Sequence, residues 1–518
     1  MVSCAQIVAP TGGARDVTPP MVEKEYPANQ STSFIEEKIS IKFDEYIQIK
    51  NADDQVVISP PMEIKPLFEV FGKTLEITLR SPLKPQTTYT LNFGNSIVDN
   101  HEGNILSGYT YVFSTGTSID SFQIKGSIRY AFDLKPEKGM SVCLYSTDSF
   151  IDSTIYLNKP LYFSKTNDNG QFVLNNLPAQ SFKLVAFKDD NKNLKYDKNE
   201  PIAFSNELVN STDSLPIQTL YSFSPNLYQT NRLIDTFSNQ IGKYTFVIYK
   251  PTDIAITPLE DNDYVTWYKK GKESLDTFTL ISPFWKQGDS VSFIIKTDTE
   301  QIVQIKPRKS SKQGKLALTL PKEIDLKDSI TISFNQPYET VKIDTNGIIL
   351  KEDTLLVPFE VFYSAKKDML KLYYPLKDKT KYSLEIKDSA VTDLYGGYNK
   401  REKTQFTTKG IKDYSNLNLL ILPKKDSYLY LVQLIDEGDT RVFKQFIVNQ
   451  KLTIPLTYVI PGKYRIKIIR DNNGNHKWDN GDYKNSIQPE RVFYYSETLN
   501  LRAYWDLEQT IDLNLIVD

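Results

Sequence analysis

The sequence predicts an all-β protein made of tandem antiparallel β-sandwich domains in a duplicated arrangement, and three observations carry that expectation. Apolar and polar residues alternate with period 2 over strand-length segments: "KISIKFDEYIQI" (Lys38–Ile49), "KTLEITLRSPL" (Lys73–Leu83) and "TTYTLNFGNSI" (Thr87–Ile97) all do so, with turn residues between them. Long stretches of helical spacing with cap signals are hard to find, which disfavours a doubly wound α/β enzyme fold. The chain also holds 32 Tyr and 27 Phe against 4 Trp and 5 Met, an excess of residues that suit a pleated, half-buried surface.

Length and charge narrow the classes. A chain of 518 residues exceeds one hydrophobic core and implies about three to five domains. With 40% hydrophobic and 24% charged residues the composition is that of an ordered protein. The 62 basic and 64 acidic residues are mixed throughout, so no basic footprint for nucleic acid is visible. No apolar run reaches the roughly 18 to 20 residues of a membrane-spanning helix; the nearest candidate is "LNLLILP" at Leu417–Pro423.

The second half repeats the first. "ISIKF" (Ile39–Phe43) answers to "ITISF" (Ile330–Phe334), "LKPQTTYTL" (Leu83–Leu91) to "LKDKTKYSL" (Leu376–Leu384), and "FST" (Phe113–Thr115) to "FTT" (Phe406–Thr408). Each copy is followed by a stretch with an Asp/Asn-rich loop. Between the halves, Tyr244–Lys312 is strand-like, with "DSVSFIIKTD" (Asp289–Asp298) as its clearest alternating run.

The two loops are nearly one sentence written twice: "KDDNKNLKYDKNEP" (Lys188–Pro201) and "RDNNGNHKWDNGDY" (Arg470–Tyr483). With Asp189 as position 1, Asn191, Asn193, Lys195, Asp197 and Glu200 fall at positions 3, 5, 7, 9 and 12; Asp471, Asn473, Asn475, Lys477, Asp479 and Asp482 take the same places. That is the ligand spacing of a calcium loop, in which side-chain oxygens and a backbone carbonyl at position 7 supply the six to eight oxygens of a hard ion. Position 6 of such a loop is ordinarily glycine, whereas this chain has Leu194 and His476 there. The other reading is a long hairpin connection held by Asx-turns, without an ion. Position 8, which faces inward in a calcium loop, is Tyr196 or Trp478, and in both readings the loop rigidifies a domain edge.

Catalytic signatures are missing. His101 and His476 are the two histidines and fall in different domains, and neither G-x-S-x-G, H-E-x-x-H nor C-x-x-C occurs. Gly12-Gly13 and Gly396-Gly397 are isolated pairs rather than a phosphate-cradling loop. A pair of carboxylates could still hydrolyse a glycoside, but no constellation of roles points to one, and a non-enzyme is expected. Trp267, Trp285, Trp478 and Trp505 read as sandwich or interface anchors, with stacking on a sugar ring as the functional alternative.

The two cysteines need separate explanations. Cys143 lies in the strand-like "MSVCLYS" and reads as a small buried residue. Cys4 lies in "MVSCAQIVAPTGGARDVTPP", where Val-Ser-Cys resembles the end of a bacterial lipobox followed by a Pro/Gly/Thr tether, although only three residues precede it. Lipidation of Cys4 is the expectation, with acyl chains holding the chain to a membrane surface.

These residues carry a family resemblance. "LKPQTTYTLNFGNSIVDNHEGNIL" followed by "YVFSTG" resembles the bacterial Ig-like domain of the S-layer type, with Asp99, Gly103 and Asn104 at its Asp-x-x-Gly-Asn turn. "TNDNGQFVLNNLPAQSFKLVAFKDDN" (Thr166–Asn191) resembles the prealbumin-like, carboxypeptidase-regulatory-like sandwich, and "VIPGKYRIKIIRDNN" (Val459–Asn473) is similar to its second half. The whole chain looks like the Ig-like-domain lipoproteins of Bacteroidota. The domains expected are an anchor and tether (1–20), Ig-like (21–117), prealbumin-like (120–235), a diverged sandwich (236–312), a second Ig-like (313–410) and a second prealbumin-like domain (411–518). The resemblance implies a lipid-anchored outer-membrane protein, at the cell surface or on the periplasmic face. The role expected is that of an accessory subunit of a barrel-assembly, secretion or nutrient-uptake complex; a glycan-binding or adhesive surface protein is the alternative.

Overall fold

The computed structural model describes residues 16–148, 150–213, 218–224, 232–249, 254–260, 263–270, 275–286, 290–296, 300–306, 312 and 314–516. The protein is all-β, a series of tandem Ig-like and related sandwiches. Among the described residues the helices are two four-residue turns, Ala52–Gln55 and Thr154–Leu157, and two 3-10 turns, Ile411–Asp413 and Leu513–Leu515. None is long and apolar enough to cross a membrane. Two compact units divide the chain: residues 1–227 with 468–493, and residues 228–467 with 494–518.

In the first unit, the first sandwich has one sheet in the order Val22–Tyr26, Lys38–Phe43, Thr74–Thr78, Leu67–Phe71. Its other face comprises Val57–Ser59, Thr88–Asn92 and Thr110–Ser114. Alternation explains the core: Ile39 faces Ile77 and Ile41 faces Leu75 across the ladder, all four fully buried, while Lys38 and Lys42 on either side of this stretch point to water. Burying each such side chain contributes about 1.5–3 kcal/mol.

The second sandwich of this unit sets Gln171–Leu177, Phe122–Tyr130 and Gln218–Ser222 against a sheet of Tyr162–Lys165, Ser141–Ser146, Ser181–Phe187 and Ile202–Phe204, with Val209–Asn210 added at the Ser181–Phe187 strand. The strand Ser141–Ser146 breaks the alternation, because it is buried on both faces. Val142 and Leu144 enter the core between the sheets with Leu184 and Ala186. Cys143 and Tyr145 point the other way, into a second cluster with Val185, Phe187, Tyr196, Ile202, Phe204 and Phe223. Burial pushes the Cys143 thiol well up, so it stays a neutral packing group.

The second unit repeats these parts. Its Ig-like sandwich pairs Leu318–Thr319, Ile330–Phe334, Met369–Tyr373 and Glu360–Tyr363 in one sheet and Leu355–Leu356, Ile348–Glu352, Lys381–Ile386 and Glu402–Thr407 in the other. Both Ig-like copies close in the same way. Tyr89 Oη accepts the Lys84 N–H at 2.8 Å, and Tyr382 Oη accepts that of Lys377 at 2.9 Å. Thr115 Oγ1 donates to the Lys84 carbonyl and Thr408 Oγ1 to that of Lys377. Tyr89 stacks on Phe113, and Tyr382 on Phe406. The repeat read from "LKPQTTY" and "LKDKTKY" is therefore one hydrogen-bonded corner built twice.

The unit also holds a sandwich around Tyr244, Phe246, Trp285 and Phe293, opened by Arg232–Gln240. Its last sandwich has Leu452–Val459, Ser415–Leu422 and Asp506–Asp512 in one sheet. Ser415–Leu422 runs antiparallel to the first of these neighbours and parallel to the second. Phe122–Tyr130 does the same with Gln171–Leu177 and Gln218–Ser222, so each copy carries one parallel pair in an otherwise antiparallel fold.

Candidate functional site

The first Asp/Asn loop closes the hairpin in which Phe187 faces Ile202. Asp189 accepts the N–H groups of Asn193 (2.9 Å) and Leu194 (3.1 Å). Asn191 Oδ1 accepts from Asn193 N, and Asn193 Oδ1 from Lys195 N. The carboxamide nitrogens of Asn191 and Asn193 converge on Asp197 Oδ2, at 2.6 and 3.2 Å. Glu200, 3% exposed, closes the loop by accepting the N–H groups of Asp190 and Asp197, one on each oxygen.

The second loop repeats this pattern with one donor shifted, from the fifth residue to the fourth. Asp471 accepts from Gly474 N and His476 N, Asn473 from Asn475 N, and Asn475 from Lys477 N. Asn473 and Asn475 donate their amides to Asp479 Oδ2 at 2.6 and 2.7 Å. Leu194 (φ 56) and His476 (φ 64) at position 6 take the left-handed backbone usually left to glycine, as do Lys192 (φ 60) and Gly474 (φ 74) at position 4. The carboxylate bonds to the following N–H groups offset the cost of that conformation.

One correspondence read from the sequence is corrected here. Asp482 does not take the place of Glu200; Glu490 does, also 3% exposed, with Oε1 on Asn472 N (2.6 Å) and Oε2 on Asp479 N (3.0 Å). The cause is extra chain after Asp479, folded into a turn in which Asp482 and Ile487 exchange backbone hydrogen bonds. Asp482 instead receives the side-chain amide of Asn485.

That extra turn packs into the aromatic cluster of its unit. Tyr483 stands edge-on to Phe204 (5.2 Å) and beside Tyr196 (6.2 Å), and Trp478 is edge-on to Phe132 (5.1 Å) with its indole N–H on the Glu490 carbonyl. A Cβ on Gly481 would lie 2.6 Å from the Phe223 ring, so only glycine fits without a shift. Asn480 donates to the Ser224 carbonyl, Gln488 to that of Phe204, and the Arg491 guanidinium lies 4.2 Å above the Tyr221 ring.

Burial pushes the carboxyls of Asp189, Glu200 and Glu490 up, against the pull of their backbone donors. Among the described residues no group of three or more His, Cys, Asp and Glu is assembled to hold a metal. The loop carboxamides aim their NH2 groups at Asp197 and Asp479, whose carboxylates a cation would otherwise share. His101 lends its backbone N–H to Asp99. Of the four tryptophans, Trp285 is fully buried, Trp267 donates to the Lys366 carbonyl, and Trp505 is 53% exposed. An apolar cleft in the first unit lined by Ile58, Met62, Phe68, Phe163 and Leu194 holds about 90 Å³, well below the range of small-molecule sites. Cys4 lies outside the described residues.

Comparison with known proteins gives the Ig-like assignment. The family model described as "Bacterial Ig-like domain" matches residues 16–115 and 317–408, the two copies whose corners repeat. No curated protein matches. Solved structures of low similarity include SGBP-B of the Bacteroides ovatus mixed-linkage glucan utilization locus in complex with a mixed-linkage heptasaccharide (10% identity, 74% of this chain and 94% of that one, TM-score 0.19). The major pilin subunit BcpA of Bacillus cereus (9%, 76% and 99%, 0.16) and the S-layer protein SbsC (10%, 87% and 65%, 0.14) are also among them. Two segments of this chain are thus bacterial Ig-like domains, set among further β-sandwiches.

Proposed function

We propose that this chain is a non-catalytic binding scaffold of the bacterial envelope, held at the outer membrane by acyl chains on Cys4 and working as an accessory subunit of an outer-membrane complex, in the manner of the Bacteroidota lipoproteins it resembles. One observation carries the reading: the polar residues written twice are spent on bracing backbone. Asp189, Asn191, Asn193 and Glu200, with Asp471, Asn473, Asn475 and Glu490, accept backbone N–H groups of their own loops, and Asp197 and Asp479 take the Asn carboxamides, which stiffens a sandwich end. The surface available for contact is then sheet edge. Leu67–Phe71 and Glu360–Tyr363 end their sheets in the two Ig-like copies and expose Phe71 and Phe362, as strands that accept a partner do.

The test is cross-linking in intact cells with envelope fractionation. The wild-type chain is expected in the outer-membrane fraction, cross-linked to an integral outer-membrane protein, with Cys4→Ala released from the membrane. Equal membrane recovery of Cys4→Ala would overturn the anchor, and absence of any cross-linked membrane protein would overturn the subunit role.

Calcium is a second reading of the loops, favoured by their ligand spacing and their repeated left-handed positions. A melting temperature lowered by chelator and restored by calcium supports it; identical melts rule it out.

A further inference from the structure

The turn Arg502–Trp505 carries "RAYW" to the start of Asp506–Asp512 and leaves Tyr504 and Trp505 69% and 53% exposed. Singly exposed rings are common on this chain, but here two are adjacent and each comes with a cation. The Lys412 ammonium lies 5.1 Å from the Tyr504 ring centre and the Arg502 guanidinium 5.1 Å from that of Trp505. Beside them Lys327 sits 5.0 Å from the Tyr458 ring, which is edge-on to Tyr414 at 5.6 Å.

The patch is held, not loose. Tyr504 N donates to the Tyr414 carbonyl at 2.7 Å, and the Trp505 carbonyl accepts from Asn416 N (2.9 Å) and Ser415 Oγ (3.0 Å). Tyr504 (φ 60) and Tyr458 (φ 54) are both left-handed, a costly state for bulky residues that local packing must maintain. The neighbouring acids are committed elsewhere: Asp506 to Asn416, Asp413 to the Gly410 N–H, Asp325 to Tyr414 Oη. Among the described residues Lys412 and Arg502 make no ion pair and lie over the Tyr504 and Trp505 rings instead.

We infer that this surface is a binding site for an acidic carbohydrate, with the Trp505 and Tyr504 rings stacking on pyranose faces while Arg502 and Lys412 pair with the sugar acids. Stacking on an aromatic face suits the C–H face of a sugar, and a guanidinium fork suits a carboxylate or phosphate. Each ring stands beside its own cation at fixed spacing, which matches a chain carrying an acid on successive sugars better than a fluid array of lipid headgroups. The inference goes beyond the scaffold reading and does not depend on Cys4 or on an outer-membrane partner.

Titration calorimetry on the full chain tests it, with tetragalacturonate, a phosphorylated mannose oligosaccharide and neutral maltotetraose as probes. Saturable binding of an acidic probe and none of maltotetraose is expected; whichever acid binds names its source. Trp505→Ala should weaken binding at least tenfold, and Arg502→Gln and Lys412→Gln each several-fold, with unchanged melting temperature. Should Trp505→Ala melt early, the two exposed-cation variants decide alone. No binding of either acidic probe, equal binding of maltotetraose, or affinity unchanged by Arg502→Gln and Lys412→Gln overturns the assignment. So does Trp505-dependent binding to phosphatidylglycerol vesicles without binding to sugars.

Discussion

Glu490 does for the second loop what Glu200 does for the first: each buried carboxylate accepts two backbone N–H groups, one from the loop's second residue and one from its ninth. Removing Glu490 leaves two N–H donors unpaired at about 1–3 kcal/mol apiece. Glu490→Ala is therefore expected to destabilise its unit by about 2–4 kcal/mol, and Asp482→Ala, whose carboxylate meets an exposed Asn485, by under about 1 kcal/mol. Chemical denaturation of both variants checks this; equal losses would put Asp482 back in the loop's twelfth position.

Gly481 is a packing constraint rather than a hinge. A side chain there collides with Phe223, so Gly481→Val is expected to cost about 1–3 kcal/mol as overpacking. Phe223→Leu in the same background should recover part of that loss, which a double-mutant cycle measures. Additive losses would show that the two positions do not meet.

The corners of the two Ig-like copies should respond alike. Tyr89→Phe and Tyr382→Phe each remove the acceptor of a backbone N–H while keeping the ring on its partner, at about 1 kcal/mol each. Thermal melts followed by near-ultraviolet signals check it, and a loss in one copy with none in the other would break the equivalence of the corners.

Two sets of carboxyls give pH dependences of opposite sign. Burial pushes Asp99 up, but backbone donors from His101 to Asn104 outweigh it and hold the carboxyl at about 2. Its folded value is below its unfolded one, so its contribution is present above about pH 4 and is lost as pH falls towards 2. Glu200 and Glu490 are raised, so their ionisation opposes folding, and stability falls as pH rises above the ordinary glutamate value. Carboxyl-carbon NMR titration reads each group directly. Asp99 titrating at or above its ordinary value would contradict the hydrogen bonding described, and Glu490 titrating below its ordinary value would contradict the dominance of burial there.

Much of this was legible in the residues. Period-2 runs announced the half-buried strands, and "LKPQTTY" with "LKDKTKY" marked the duplicated corner because the same atoms make it. The loops were legible through position 9, where side-chain spacing and bonding coincide. Glu490 was hidden because the extra turn after Asp479 shifts it away from its counterpart, and spacing cannot see past an insertion. Ser141–Ser146 carries no period because both its faces are covered by parts distant in sequence. Leu194 and His476 argued against a tight turn on propensity, yet the Asp189 and Asp471 carboxylates hold them in it. Nothing in the pattern separated Trp505 from the three other tryptophans; exposure did.

The proposed scaffold role is tested most directly by intact-complex mass spectrometry on the chain extracted from cell envelopes in mild detergent. A single dominant species pairing this chain with an outer-membrane barrel protein at fixed stoichiometry is expected. The chain flying alone at every detergent strength that leaves other envelope complexes whole would contradict it.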